Sequence, residues 1–204
     1  MPKRDSQHWD SRYRKEETPW DVGVPSRDLL EWLAKQSRKG LRMLDVGCGT
    51  GINLVEMTQA GHLAVGIDFA PTAIELANQR LTAVGNDRNV TLECADFLHW
   101  DADEDTGFDF ILDRGCYHCN RDSVANVKQY VAQLKRFLNT DGELLLLTGN
   151  SNDPCKAGPP KMEEQELRAD LGDDFEILLL EPTHFEEPDG TDGPLAWKVL
   201  ARKK

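Results

Sequence analysis

Short apolar blocks that do not alternate, separated by stretches with helical spacing, constrain this chain more than any other feature. The blocks are Arg42-Met43-Leu44-Asp45-Val46, Leu63-Ala64-Val65-Gly66-Ile67, Val90-Thr91-Leu92, Phe108-Asp109-Phe110-Ile111-Leu112 and Glu143-Leu144-Leu145-Leu146-Leu147. A strand covered on both faces has no solvent side to keep polar, so such runs predict buried parallel strands. Helical spacing appears at Leu29, Leu30 and Leu33 before the first block, at Ile74, Ala77, Leu81 and Val84 after the second, and at Val124, Val127, Val131, Leu134 and Leu138 after the fourth. Alternation of strand and helix makes the sheet mostly parallel and the class α/β. Ser26 is placed to cap the first helix, Pro71 to open another, and Gly40, Gly85 and Gly142 to end helices. Two later apolar segments, 175–180 and 195–200, predict a terminal antiparallel pair on the sheet edge. Residues 150–160, rich in Gly, Pro, Asn and Asp, predict a mobile loop after a strand, where α/β sheets place ligands.

With 204 residues, 39% of them hydrophobic, one compact domain can bury a core without help from metals or disulfides. No run approaches the roughly 18 apolar residues of a membrane span, and the start Met1-Pro2-Lys3-Arg4-Asp5 lacks a signal-peptide core, so the expected address is cytoplasmic. Five cysteines, unevenly placed at 48, 94, 116, 119 and 155, are expected to be reduced thiols. The net charge of -12 repels a phosphate backbone, and the basic pieces Lys3-Arg4 and Arg202-Lys203-Lys204 are too short to track one. The expected partner is a small molecule, with no nucleic acid and no membrane, bound by a monomer or weak dimer.

The chemistry-bearing signal is Asp45-Val46-Gly47-Cys48-Gly49-Thr50-Gly51, between the first strand and a helix that begins near Ile52. Glycines there let backbone approach a ligand. Asp68 ends the second strand at about the 20-residue spacing at which an acidic side chain accepts from ribose hydroxyls. The dinucleotide pattern G-x-G-x-x-G is absent; instead Asp45 precedes the turn, where its carboxylate can hold the turn's amides and face a cationic ligand. A sulfonium methyl donor carries that charge and has no pyrophosphate. After the third strand, Asp96 can accept from an adenine amino group and Phe97 can pack on the ring. Each carboxylate alone reads equally well as a turn or helix cap; three after three successive strands point to a site.

These motifs resemble those of the class I S-adenosylmethionine-dependent methyltransferases, and the resemblance covers nearly the whole chain. It implies a single-domain Rossmann-like fold, a seven-stranded mostly parallel sheet with an antiparallel last strand and helices on both faces. It further implies that Gly47 and Gly49, with Cys48 and Gly51 in the same turn, approach the methionine part of S-adenosylmethionine. Asp68 then takes the ribose, Phe69 and Phe97 the adenine faces, and Asp96 the adenine amino group.

The fourth strand runs into Asp113-Arg114-Gly115-Cys116-Tyr117-His118-Cys119, which in this fold lies beside the donor methyl. An Asn/Asp-Pro-Pro-aromatic signature for base amino groups is missing there. Trp9 and Tyr13 four apart, Thr18-Pro19-Trp20, Asp113-Arg114-Gly115 and Gly158-Pro159-Pro160 resemble the thiopurine and thiol (halide-type) S-methyltransferases. That branch implies an N-terminal aromatic lid, residues 1–25 with Trp9, Tyr13 and Trp20, ahead of a methyltransferase domain, 26–204. It also puts Arg114, with Asp113 and His118, near the acceptor, and counts Asp113 among the cofactor contacts. Cys116-Tyr117-His118-Cys119 stands where thiopurine enzymes tend to be aliphatic. The aromatics can equally anchor a polar segment, Arg114 can serve an ion pair with Asp113 or a helix end, and His118 can be a hydrogen-bonded structural histidine. One Cys/His cluster is too few ligands for a structural zinc site, and no metal is expected. Arsenite or another metalloid, or a small N or O acceptor, stands as an alternative to a thiol; an idle methyltransferase fold serving as a binding subunit stands as the non-enzymatic one.

Overall fold

A computed structural model describes residues 5–102 and 106–204. The chain divides into two compact units, Met1–Asp101 and Ala102–Lys204.

In the first unit the order is α1 (Ser6–Arg14), α2 (Arg27–Lys35), β1 (Arg42–Val46), α3 (Ile52–Gln59), β2 (Leu63–Asp68), α4 (Pro71–Ala83) and β3 (Val90–Cys94). β2 lies between the other two strands and is parallel to both, with Asp45 opposite Gly66 and Asp68 opposite Cys94. Leu29, Met43, Leu44, Leu54, Met57 and Ile67 are the largest fully buried side chains of this unit. α4 begins at Pro71 as expected. Gly85, with φ +72°, follows its C-cap and donates to Thr82 O, so this helix ends on a glycine. Gly40 instead precedes β1, donating to Gly61 O. Ser26 holds the N-cap position of α2 but caps nothing with its side chain; its N–H donates to Asn53 Oδ1 at 3.0 Å. The helix α1 had no apolar stripe to announce it. Asp5 caps it, accepting from His8 N at 3.0 Å.

In the second unit come β4 (Phe108–Arg114), α5 (Val124–Phe137), β5 (Leu138–Asn150), β6 (Lys161–Met162), α6 (Glu164–Leu171), β7 (Phe175–Glu186) and β8 (Asp192–Lys203). β4 and β5 are parallel, and β8 runs antiparallel to both β5 and β7. The expected terminal pair is therefore present, though each strand has 12 residues. β7 continues through Pro182, which has no N–H to donate; as the outer strand of the order β4-β5-β8-β7 it tolerates that loss. Gly142 lies within β5 and not at a helix end. The loop at 151–160, expected to be loose, is tied at several points. Asp153 accepts from the N–H of Cys155 and of Leu195, each at 2.7 Å, and Lys161 Nζ donates to Asp153 O at 2.6 Å. The helix α6, missed in the sequence, opens with a reciprocal capping box between Glu163 and Glu166. The two units together hold seven long strands and the two-residue β6, mostly parallel, among the described residues.

Gly66 shows how tightly α3 packs on β2. A Cβ there would lie 2.5 Å from Leu54 Cδ1 and 2.9 Å from Cys48 Sγ. Gly66→Ala is expected to destabilise the fold by about 1–3 kcal/mol through overpacking, read as a lower urea midpoint; an unchanged midpoint would show that α3 yields freely.

Candidate active site

The glycine turn of the first unit is built on backbone hydrogen bonds to β2. As β1 ends, the N–H groups of Gly47 and Cys48 both donate to Ile67 O, at 2.8 and 3.0 Å, and Gly51 N closes the turn on Cys48 O at 3.0 Å. Gly47, Gly49 and Gly51 have φ of +71°, +54° and +76°, a region where a side chain would strain the backbone. Asp68 Oδ2 accepts from Gly49 N at 3.0 Å and its Oδ1 from Ala70 N at 2.9 Å. Burial raises the Asp68 pKa, against the lowering effect of the N–H groups of Ala70, Gly49 and Phe69. Each oxygen of a carboxylate keeps further lone-pair capacity, so the same group that holds the turn can accept from a ligand hydroxyl. Asp45 and Cys48 are buried, the Cys48 thiol against Gly66 of β2. Phe69 is half-buried.

The N-terminal segment is docked on this turn. Tyr13, 7% exposed, places its hydroxyl 3.0 Å from where a Cβ on Gly49 would sit, and that hydroxyl accepts from Trp20 Nε1 at 3.1 Å. Trp9 and Trp20 meet edge to face at 5.1 Å, and the aromatic group packs on Ala70, Ala73 and Leu76. Polar side chains that sequence reasoning passed over hold the arrangement. The N-cap residue of α4, Ala70, has no side chain for the purpose, and Asp10 of α1 accepts from Thr72 N at 2.8 Å in its place. That bond lowers the Asp10 pKa. Thr50, inside the glycine turn, donates to Asp21 Oδ2 at 2.7 Å, while Arg80 donates to Thr50 O and Oγ1 at 2.9 and 3.0 Å. These residues gave no signal because short-range polar pattern does not reveal a partner dozens of positions away.

Asp96 caps the 3-10 turn Phe97–His99, accepting from Leu98 N at 3.0 Å with His99 Nδ1 at 2.8 Å. Phe97 is 5% exposed. Both therefore have structural duties beside the expected adenine contacts. A cavity of about 170 Å³ near Arg42, Leu63, Arg88 and Val90 lies at the opening ends of β1, β2 and β3, whereas the glycine turn lies at their closing ends.

In the second unit β4 delivers Asp113, Arg114 and the turn that carries His118. Asp113 is 0% exposed. It accepts from Cys116 N at 2.9 Å, from Tyr117 N at 3.0 Å and from Tyr130 Oη at 2.6 Å. An enclosed carboxylate with these partners brackets the turn, a positioning duty rather than proton transfer. Burial pushes its pKa up to about 6 although all these donors lower it. Arg114 Nη2 donates to Glu186 Oε2 at 2.7 Å, so the ion pair foreseen as an alternative for Arg114 exists, with a partner from β7 and not Asp113. His118 is buried; its Nδ1 accepts from Gly149 N at 3.3 Å and lies 3.0 Å from Thr148 Oγ1. A backbone N–H can only donate, so the Gly149 contact suits the tautomer with its proton on Nε2, while toward Thr148 Oγ1 the ring can donate or accept. None of the five cysteines is in a disulfide. Among the described residues no group of three His, Cys, Asp or Glu side chains could hold a metal, and no helix is long and apolar enough to cross a membrane.

A carboxyl with a raised folded pKa favours folding while it is protonated in both states, and that contribution is lost as pH rises through the interval between the unfolded value, about 3.9, and the folded value. Stability should thus fall from this source between about pH 4 and 6. Asp113→Asn should remove that slope, measured as the wild-type minus variant unfolding free energy across the interval; parallel curves would show that Asp113 is ionised throughout.

Comparison with known proteins bears on the whole site. The family model described as Thiopurine S-methyltransferase (TPMT) matches residues 4–198. A probable thiol methyltransferase 2 of Arabidopsis thaliana is 28% identical over 160 residues, 78% of this chain and 69% of that protein. An EEF1A lysine methyltransferase 2 of Homo sapiens is 28% identical over 193 residues, 87% of this chain and 76% of that protein. Among solved structures, one titled for the conversion of a disulfide bond into a thioacetal group during echinomycin biosynthesis shares the fold with a TM-score of 0.81 at 22% identity, over 98% of this chain and 93% of that one. The magnesium protoporphyrin IX methyltransferase of Synechocystis PCC 6803, solved with bound S-adenosylmethionine, gives 0.68 at 19% identity, over 97% and 83%. With a match that runs from before α1 into β8, and so takes in the aromatic segment as well as the glycine turn, this chain belongs to the thiopurine S-methyltransferase (TPMT) family and is an S-adenosylmethionine-dependent methyltransferase.

Proposed function

We propose that the enzyme methylates a small thiol, taken up at the segment that follows β4, in the cytoplasm. Bound S-adenosylmethionine supplies an electrophilic methyl group on a sulfonium. The first unit's residues fit that group: left-handed glycines open the turn after β1, Asp68 keeps acceptor capacity, and the Tyr13 hydroxyl stands where a side chain on Gly49 would intrude. In this reading Gly47, Gly49 and Asp68 hold the ligand, Phe69, Asp96 and Phe97 bound its adenine, and residues 5–25 cover it, the first four residues of the expected lid lying outside the described residues.

The observation that carries the choice of a thiol is the contact of His118 Nδ1 with Gly149 N. In the tautomer that this contact suits, the neutral ring has its N–H at Nε2 and its basic nitrogen, Nδ1, is engaged by the backbone, while Asp113 is enclosed by its own turn and Arg114 is a donor. An ammonium with a pKa near 10.4 needs a base to become nucleophilic at neutral pH. A thiol near 8.5 is already a few per cent thiolate. Donors then serve by orienting and stabilising the anion.

A second reading, a protein lysine, is favoured by the human relative's similarity over 87% of this chain. The net charge of -12 would suit a basic protein partner. Arsenite and small N or O acceptors belong in the same assay.

Incubation with S-adenosylmethionine and a panel of thiols, phenols, amines, arsenite, a lysine peptide and EEF1A, read by mass spectrometry, is expected to give methyl thioethers; methyl-lysine without thioether would overturn the proposal. For each thiol, kcat/KM should rise with pH up to that thiol's own pKa, because the acceptor supplies the ionisation; a common pKa for all thiols would mean an enzyme base. Asp68→Asn should weaken S-adenosylhomocysteine binding by about 1–3 kcal/mol, the range for hydrogen bonds to a charged group, measured by calorimetry.

A further inference from the structure

The end of β7 brings Phe185 and Glu186 to the residues that follow β4. Glu186 is 3% exposed and accepts from Arg114 at 2.7 Å. The Phe185 ring covers the Arg114 guanidinium at 5.1 Å and meets the His118 ring edge to face at 6.5 Å. Four side chains, from β4, the turn after it and β7, therefore form one cluster. A carboxylate buried so deeply is costly unless paired, and Arg114 is its pair. The two charges cancel, so Arg114 presents donors without the field of a lone cation.

We infer that Glu186 is a specificity-determining positioning residue, which by holding and neutralising Arg114 makes the enzyme select uncharged thiols over thiols that carry a carboxylate. The inference rests on the thiol reading above. An anionic acceptor can approach Arg114 in two ways. It can displace Glu186 and leave a buried carboxylate without its cation, or it can settle beside Glu186 as a like charge. An uncharged thiol meets neither penalty. Phe185, half-buried over the pair, adds an apolar wall suited to the same class.

The test compares 3-mercaptopropionate with its uncharged primary amide, with kcat/KM referred to the thiolate concentration of each. The wild type should prefer the amide by about tenfold or more, the scale of a like-charge contact. In Glu186→Gln the preference should collapse or invert, chiefly through a lower KM for the carboxylate, and Glu186→Asp should restore it. Arg114→Ala is a poor probe, since it strands Glu186. Arg114→Met combined with Glu186→Met removes both charges, keeps the packing volume and guards against a misfolded single variant, its folding checked by thermal unfolding. This double variant should show no preference, which also separates the pair from the chain's overall negative charge. Methylation of both thiols with equal efficiency by the wild type, or an undiminished preference in Glu186→Gln or the double variant, overturns the inference alone. Methylation of neither thiol nor of any thiol in the panel, with a non-thiol acceptor turned over, overturns the thiol reading and this inference with it.

Discussion

Backbone N–H groups that leave the closing ends of buried parallel strands need acceptors, and this protein answers that need with carboxylates. Asp68 at the end of β2 takes the N–H of Gly49 and Ala70. Asp96, just beyond β3, takes Leu98 N. Asp113, near the end of β4, takes Cys116 N and Tyr117 N. An unpaired buried N–H costs about as much as a lost hydrogen bond, so each turn is fixed from a strand end, the turn after β1 by Asp68 and Ile67 O of the neighbouring β2. Loops fixed in this way can carry ligand groups at defined positions, which loose loops cannot. In the proposed reading Asp68 and Asp96 serve a ligand as well as a turn.

This double duty explains how far the sequence was legible. The five strand blocks, the helices starting at Ile52 and Pro71 and the antiparallel terminal pair follow from periodicity and local chemistry, and the structure has them. The glycine turn and Asp68 were legible because a strand, a turn and a helix leave a joint signature within about 20 residues. Asp113 was legible as part of a motif but not in its role: the motif marks a position in the chain, while burial decides whether a carboxylate there can reach anything outside its own turn. At 0% exposure it meets the N–H groups of that turn and, beyond it, Tyr130 Oη of α5.

What escaped the sequence is what depends on distant partners. The helix α1 forms without an apolar stripe because Trp9 and Tyr13, one turn apart, suffice to dock it on α4, and because its Asp10 caps that helix. Asp21, Thr50 and Arg80 are joined by hydrogen bonds across about thirty positions of chain. Glu186 lies 72 positions from Arg114, in a stretch whose Pro and acidic residues read as a connection rather than as β7. Periodicity reports the burial of a face. It says nothing of which polar group another will meet.

The His118 geometry carries the chemical consequence furthest. A histidine near an acceptor invites a role as base, and sequence alone leaves both of its nitrogens open. Gly149 sits in β5, where its N–H points along the ladder toward Nδ1, and a backbone donor cannot reverse its direction. To accept a proton at Nε2 the ring would have to carry its own proton on Nδ1, giving up the Gly149 contact for donation to Thr148 Oγ1 at 3.0 Å. In the proposed reading the Gly149 contact makes His118 a donor. Under that reading an Arg donor, a His donor and an enclosed carboxylate favour acceptors that ionise on their own, and a constraint on backbone hydrogen bonding in β5 would become a constraint on substrate chemistry.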